Sequence, residues 1–123
     1  MTSPPNPVQA LGRTGEDIAC RYLSGKGYKI VARRFRMFRG ELDIVARDGR
    51  TLVFVEVKAR SDASHGRPEE AVTPGKQRQL RRIAQAFLVA HPHPGVACRF
   101  DVVAILLRGG PDGPRIEHFV DAF

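Results

Sequence analysis

The residues best suited to chemistry are Asp43 and, about a dozen positions later, Glu56-Val57-Lys58. Two acids and a lysine stand in runs that otherwise read as core, and Leu52-Val53-Phe54-Val55 leads straight into Glu56. Moving charge out of water is costly unless the charge is paired or coordinates a metal. Hard divalent cations take carboxylate, carbonyl and water oxygens. Asp43, Glu56 and the backbone carbonyl of Val57 could supply such a shell to magnesium or manganese. A metal held this way lowers the pKa of a bound water and stabilises charge developing on a phosphate. Lys58 would orient or deprotonate the attacking water, or offset charge in the transition state.

These groups need a scaffold, and Gly40 to Arg60 reads as a β-hairpin. Asp48-Gly49 is a strong turn signal between two β-rich runs. Side chains alternate between the faces of a strand. Strict alternation puts Glu41, Asp43 and Val45 on one face of the first strand, and Leu42 and Ile44 on the other. On the second strand Phe54, Glu56 and Lys58 oppose Val53, Val55 and Val57. That strand is apolar on both sides, so the sheet should be covered on both faces by helices.

Other elements follow from periodicity and punctuation. Pro4, Pro5 and Pro7 mark residues 1–10 as a flexible tail, leaving 11–123 as one domain. A helix from about Leu11 to Ser24 repeats apolar residues at Gly15, Ile18, Ala19, Tyr22 and Leu23. Glu16 leans on the edge of that stripe, where a first-turn acid suits the helix dipole. A strand is expected from Tyr28 to about Arg34, with Tyr28, Ile30 and Ala32 on one face. A second helix opens at Thr73-Pro74 and buries Leu80, Ile83, Ala84, Phe87 and Leu88. Arg99 to Leu107 and Ile116 to Val120 close the chain as strands. Asp101, in an otherwise apolar strand, reads as a structural acid paired with Arg99 or another base. The order is α-β-β-β-α-β-β: an α/β single domain with a central mixed sheet flanked by helices.

Charge narrows the partner. The 123 residues carry a formal net charge of +7, a balance that favours a polyanion, since basic side chains displace counterions from phosphate. Arg33, Arg34, Arg36 and Arg39 interleave with Phe35, Met37 and Phe38 just before Glu41 and Asp43. Arginine forks bind phosphate and aromatics stack on bases; the ordinary alternative is an edge segment with solvated arginines. Arg78, Arg81 and Arg82 form a basic stripe on the second helix. Arg60 leaves the site into a polar loop that includes His65, read as a surface histidine. Cys20 and Cys98 lack zinc spacing and read as thiols of a reducing compartment. No segment resembles a membrane span or a leader, so the expectation is a cytoplasmic protein without a membrane partner.

Asp43 with Glu56-Val57-Lys58 resembles the PD-(D/E)xK nuclease superfamily. Gly12-Arg13-Thr14-Gly15-Glu16, Gly40-Glu41-Leu42-Asp43-Ile44, Phe54-Val55-Glu56-Val57-Lys58 and Arg99-Phe100-Asp101-Val102-Val103 together look like the YraN-like uncharacterised bacterial family. That family is similar in fold to archaeal Holliday-junction resolvases. The resemblance covers about Leu11 to Val120, with Leu42 where the superfamily pattern has proline. It implies a restriction-endonuclease-like sheet and a magnesium-type site, with Asp43 and Glu56 as metal ligands, Lys58 as the catalytic lysine and Glu16 as an added acid. The expected function is metal-dependent cleavage of DNA, branched or otherwise structured, by water attack on a phosphodiester. The alternatives are a non-catalytic nucleic-acid-binding module on the same fold, or a protein-interaction domain in which Glu56 and Lys58 form a buried ion pair. Cutting a symmetric junction takes two sites, which favours a homodimer.

Overall fold

The structure is a computed structural model and describes residues 7–61 and 72–123. The element order is α1 (Pro7–Gly25), β1 (Lys29–Met37), β2 (Gly40–Asp48), β3 (Thr51–Arg60), α2 (Pro74–Ala90), β4 (Ala97–Leu106) and β5 (Arg115–Phe119). The five strands form one sheet in the order β1-β2-β3-β4-β5. Neighbours pair antiparallel except β3 and β4, which run parallel. A parallel pair needs a crossover, and α2 lies in the connection between them. The expected α/β domain is therefore observed, with a helix on each face.

Each face has its own core. On the α2 side Leu42, Val45, Leu52, Phe54, Leu80, Ile83, Phe87 and Val102 pack together. On the α1 side Ala19, Leu23, Ile44, Ala46, Val53, Val55, Val103 and Ile105 do so. Phe87, 1% exposed, meets the edge of Phe35 with ring centroids 5.3 Å apart. Burying a side chain of this size contributes about 1.5–3 kcal/mol. Thr73 caps α2 by accepting the Lys76 N–H at 3.2 Å, with proline at the first helical position.

The structure corrects two boundaries. Residues Pro7–Ala10, read as tail, belong to α1; proline is tolerated there because a first-turn N–H has no helical partner. The first strand runs on through Met37, so the arginine-aromatic segment is strand down to its turn.

A third correction concerns the faces of β1 and β2. Leu42 and Val45, three apart, share the α2-side core, whereas Ile44 and Ala46 belong to the α1 side. Alternation therefore breaks at Asp43, and the expected grouping of Leu42 with Ile44 does not hold. In β1 a shift in register between Ile30 and Ala32 puts these two on opposite cores. A second break follows at Arg34, whose φ is +54°. Paired residues run Arg33↔Ile44 and then Phe35↔Leu42, so Arg34 and Asp43 are the positions skipped together. Left-handed backbone is strained for a side chain such as arginine, and strain of this kind concentrates at functional sites.

Candidate active site

The break frees Asp43 from the apolar layers. The β2–β3 pairing ends at Ile44↔Val55, so Asp43 and Glu56 stand just beyond its last rung. The Asp43 side chain takes over a backbone role there, its Oδ2 accepting the Val57 N–H at 2.8 Å. Glu56, on β3, is 7% exposed. Its Oε1 lies 3.5 Å from Lys58 Nζ. The alternation read for β3 holds, with Phe54 facing α2 and Val53 and Val55 facing α1.

Glu16 arrives from α1. Gly15 makes this possible, because a Cβ at that position would lie 2.6 Å from the Ala59 Cβ. Only glycine lets the helix settle on β3 beside Lys58. Glu16 is buried, and Arg34 Nε donates to both its oxygens at 3.1 and 3.0 Å. The left-handed turn at Arg34 thus sends its guanidinium to α1 while Asp43 reaches β3. Glu16, Glu41, Asp43, Val57 and Lys58 line one cavity of about 250 Å³.

Burial pushes the Asp43 carboxyl up to about 8. Burial is the largest cause of that rise; the charges of Glu56, Glu41 and Glu16 contribute to it, and the Val57 N–H opposes it. Burial also raises Glu56, against the pull of Lys58 and Lys76. Two buried acids that repel each other hold a proton near neutral pH. A cation in that place removes both the repulsion and the desolvation cost. The donor set of two carboxylates suits magnesium, which keeps several of its waters. Among the described residues no group of three or more His, Cys, Asp or Glu is gathered as a ready-made metal cage.

The arginines expected to grip phosphate divide into separate groups. Arg33 is tied to Asp17 at 2.7 Å, Arg34 to Glu16 and Arg36 to Glu41 at 3.2 Å. Their charge is already answered by the chain's own acids. Arg39 lines an open cleft of about 580 Å³ with Arg36, Met37, Glu41 and Lys76. Arg60 carries a buried Nε with no hydrogen-bond partner among the described residues. Arg78, Arg81 and Arg82 line a different groove, floored by Phe54 and Phe100, where the Arg81 guanidinium sits 4.8 Å over the Phe100 ring. These three do not share the acid cavity. His65 and the rest of 62–71 lie outside the described residues.

Sequence reasoning missed Lys76. Its charge acts on Glu56, and it stands in the first turn of α2. A cation is unfavourable beside the positive end of a helix dipole, and that misfit was the available signal. Asp101 is structural, as expected. It is fully buried and takes Arg99 Nε at 3.0 Å, His118 Nε2 at 2.7 Å and the Asp121 N–H at 2.9 Å.

Residues 15–105 match the model of the uncharacterised protein family UPF0102. The chain is similar to a UPF0102 protein of Geobacter sulfurreducens, 54% identical over 113 residues, covering 92% of this chain and 88% of that one. It is likewise similar to one of Prosthecochloris aestuarii, 50% identical over 117 residues and 92% of each chain. A UPF0102 protein of Syntrophotalea carbinolica is 52% identical over 114 residues, 93% of this chain and 91% of that one. Among the described residues no helix is long and apolar enough to cross a membrane.

Proposed function

The chain belongs to the uncharacterised protein family UPF0102, and we propose that it is a metal-dependent endonuclease acting on branched or otherwise structured DNA. The observation that carries this reading is the buried acid pair. Asp43 and Glu56 repel each other, and burial with that repulsion lifts Asp43 to about 8. A fold gains nothing in stability from two such acids together. A divalent cation gives the arrangement a purpose.

Asp43 and Glu56 would hold magnesium or manganese, with the Val57 carbonyl as a further ligand. Bound there, the ion would acidify a water and offset charge on the scissile phosphate. Asp43 is aimed by the Val57 N–H, which holds its Oδ2 at 2.8 Å. Lys58 lines the cavity with Asp43, while Glu56 borders the apolar space beside Leu42 and Phe54; 3.5 Å from Glu56, Lys58 can orient the attacking water and neutralise charge at the phosphate. Glu16, clamped by Arg34, adds a further acid to the lining of that cavity. A symmetric junction offers two strands to cut, so two copies would act together on it.

The test is cleavage of junction, flap and single-stranded DNA with magnesium or manganese, comparing the wild type with Asp43→Ala and Lys58→Ala. Losing a positioned proton-transfer group costs about 10²–10⁴-fold in rate. Equal cleavage by all three proteins sinks the assignment. A second reading, a non-catalytic nucleic-acid-binding module, is favoured by the arginine groove of α2 lying apart from the acid cavity. It requires salt-sensitive binding without metal-dependent cleavage, unchanged by Asp43→Ala.

A further inference from the structure

The turn between β1 and β2 is built against local preference. Met37 pairs with Gly40, so Phe38 and Arg39 form a two-residue turn. Both are left-handed, with φ of +53° and +59°. This is the type I′ geometry, normally filled by Asn-Gly or Asp-Gly. A phenylalanine followed by an arginine is among the less suitable choices, and strained residues persist only where neighbours hold them.

Helix α2 is the brace. Gly40 lets the helix approach so closely that a Cβ there would lie 2.7 Å from the Gln79 amide and 2.9 Å from the Ile83 side chain. Arg82 from the same helix lays its guanidinium 4.1 Å from the centre of the Phe38 ring. Even so, Phe38 is 44% exposed and Met37 39%. Two large apolar side chains are held out to solvent on a fixed support.

The surroundings choose the occupant. Arg36, Arg39 and Lys76 border the adjacent cleft, with Glu41 as its acid, and Arg82 backs the ring. This excess of positive charge repels a second copy of the same tip and attracts a polyanion. An aromatic ring among cations suits a polyanion that also offers flat apolar faces. Nucleobases meet that requirement only when they leave the stack. Strand β2 then climbs from Gly40 to Asp43, three residues or roughly 10 Å. The ring therefore stands about one or two nucleotides from the candidate scissile phosphate.

We infer that the Phe38-Arg39 turn is a base-stacking wedge that recognises an unpaired nucleotide next to the cleavage position. This rests on the endonuclease reading and gives a physical basis for selecting branched over fully paired DNA. The wedge acts in binding, before any bond is broken.

Binding is measured in chelator, where no cleavage occurs, by anisotropy on a flap and on a blunt duplex, with 2-aminopurine at the unpaired position. The wild type should prefer the flap and quench the probe. Phe38→Asn suits the left-handed turn and should stay folded; it should weaken flap binding by about fivefold or more. Duplex binding should change by about twofold or less. Phe38→Trp should keep both the preference and the quenching. Loss of affinity for both DNAs alike, no change for either, or no DNA binding by the wild type overturns the wedge. So does a wild-type dimer that Phe38→Asn converts to monomer, since the ring would then be a contact between copies. A Phe38-dependent flap preference without metal-dependent cleavage leaves the wedge standing and removes the nuclease. Cleavage that ignores Phe38 does the reverse.

Discussion

Replacing Asp43 with asparagine should make the metal-free protein more stable at alkaline pH. Asparagine keeps an oxygen to accept the Val57 N–H and removes the charge. In the wild type the folded state holds the Asp43 proton up to about 8, against an ordinary 3.8. The folded state therefore binds more protons than the unfolded chain across that window. Stability falls as pH rises from about 4 to about 8 and is level above it. The ceiling is about 4 pKa units at ~1.4 kcal/mol each, or ~6 kcal/mol. Sharing the proton with Glu56 and turning the carboxyls toward water reduce this, leaving an expected loss of ~2 kcal/mol. For a domain of this size that is roughly 8 °C in Tm.

The assay is thermal unfolding in chelator from pH 5 to pH 9, wild type against Asp43→Asn. Groups remote from the acid pair contribute alike to both proteins, so the difference between the two curves isolates the change at Asp43. It should be small at pH 5 and open toward pH 8.5 in favour of the variant. Manganese added at pH 8.5 should raise the wild-type Tm and leave Asp43→Asn unmoved, because only the ionised pair attracts the ion. Parallel pH curves, or an equal manganese effect on both proteins, would refute the account of a proton-holding acid pair.

Gly15→Ala puts a methyl 2.6 Å from the Ala59 Cβ; the overpacking should cost ~1–3 kcal/mol in urea unfolding and displace Glu16 from the cavity. Asp101→Ala removes the acceptor of the buried His118 ring and of the Asp121 N–H and leaves Arg99 only Asp48 and Tyr28, and a loss of ~3–5 kcal/mol is expected by denaturant titration. If DNA tracks the α2 groove, Arg81→Ala should lower the slope of log affinity against log salt by about 1. Arg33→Ala should leave that slope unchanged, since Asp17 already answers its charge at 2.7 Å.

Much of this protein was legible in its residues. Periodicity and punctuation gave both helices and all five strands, and the doubly apolar pattern of Leu52 to Val57 required cover on both faces of the sheet. Asp43, Glu56 and Lys58 were marked because charge in an apolar run needs a reason. These are local properties of the chain, set by backbone period and by the cost of desolvating charge, so they are written in sequence order.

Tertiary structure decided the rest. Strict alternation would have left Asp43 in the same apolar layer as Val45. The paired breaks at Arg34 and Asp43 turn it toward Val57 and deliver Arg34 to Glu16. No pattern within one strand could reveal this, because the groups that answer the two side chains, Glu16 on α1 and Val57 on β3, lie on other elements. The same holds for the arginines. As residues they were equivalent cations, and only packing showed that Asp17, Glu16 and Glu41 answer three of them while Arg82 backs the Phe38 ring. Which residues carry charge is a matter of composition. Which charges remain available to a partner depends on distances between groups far apart in the chain, and these exist only in the folded protein.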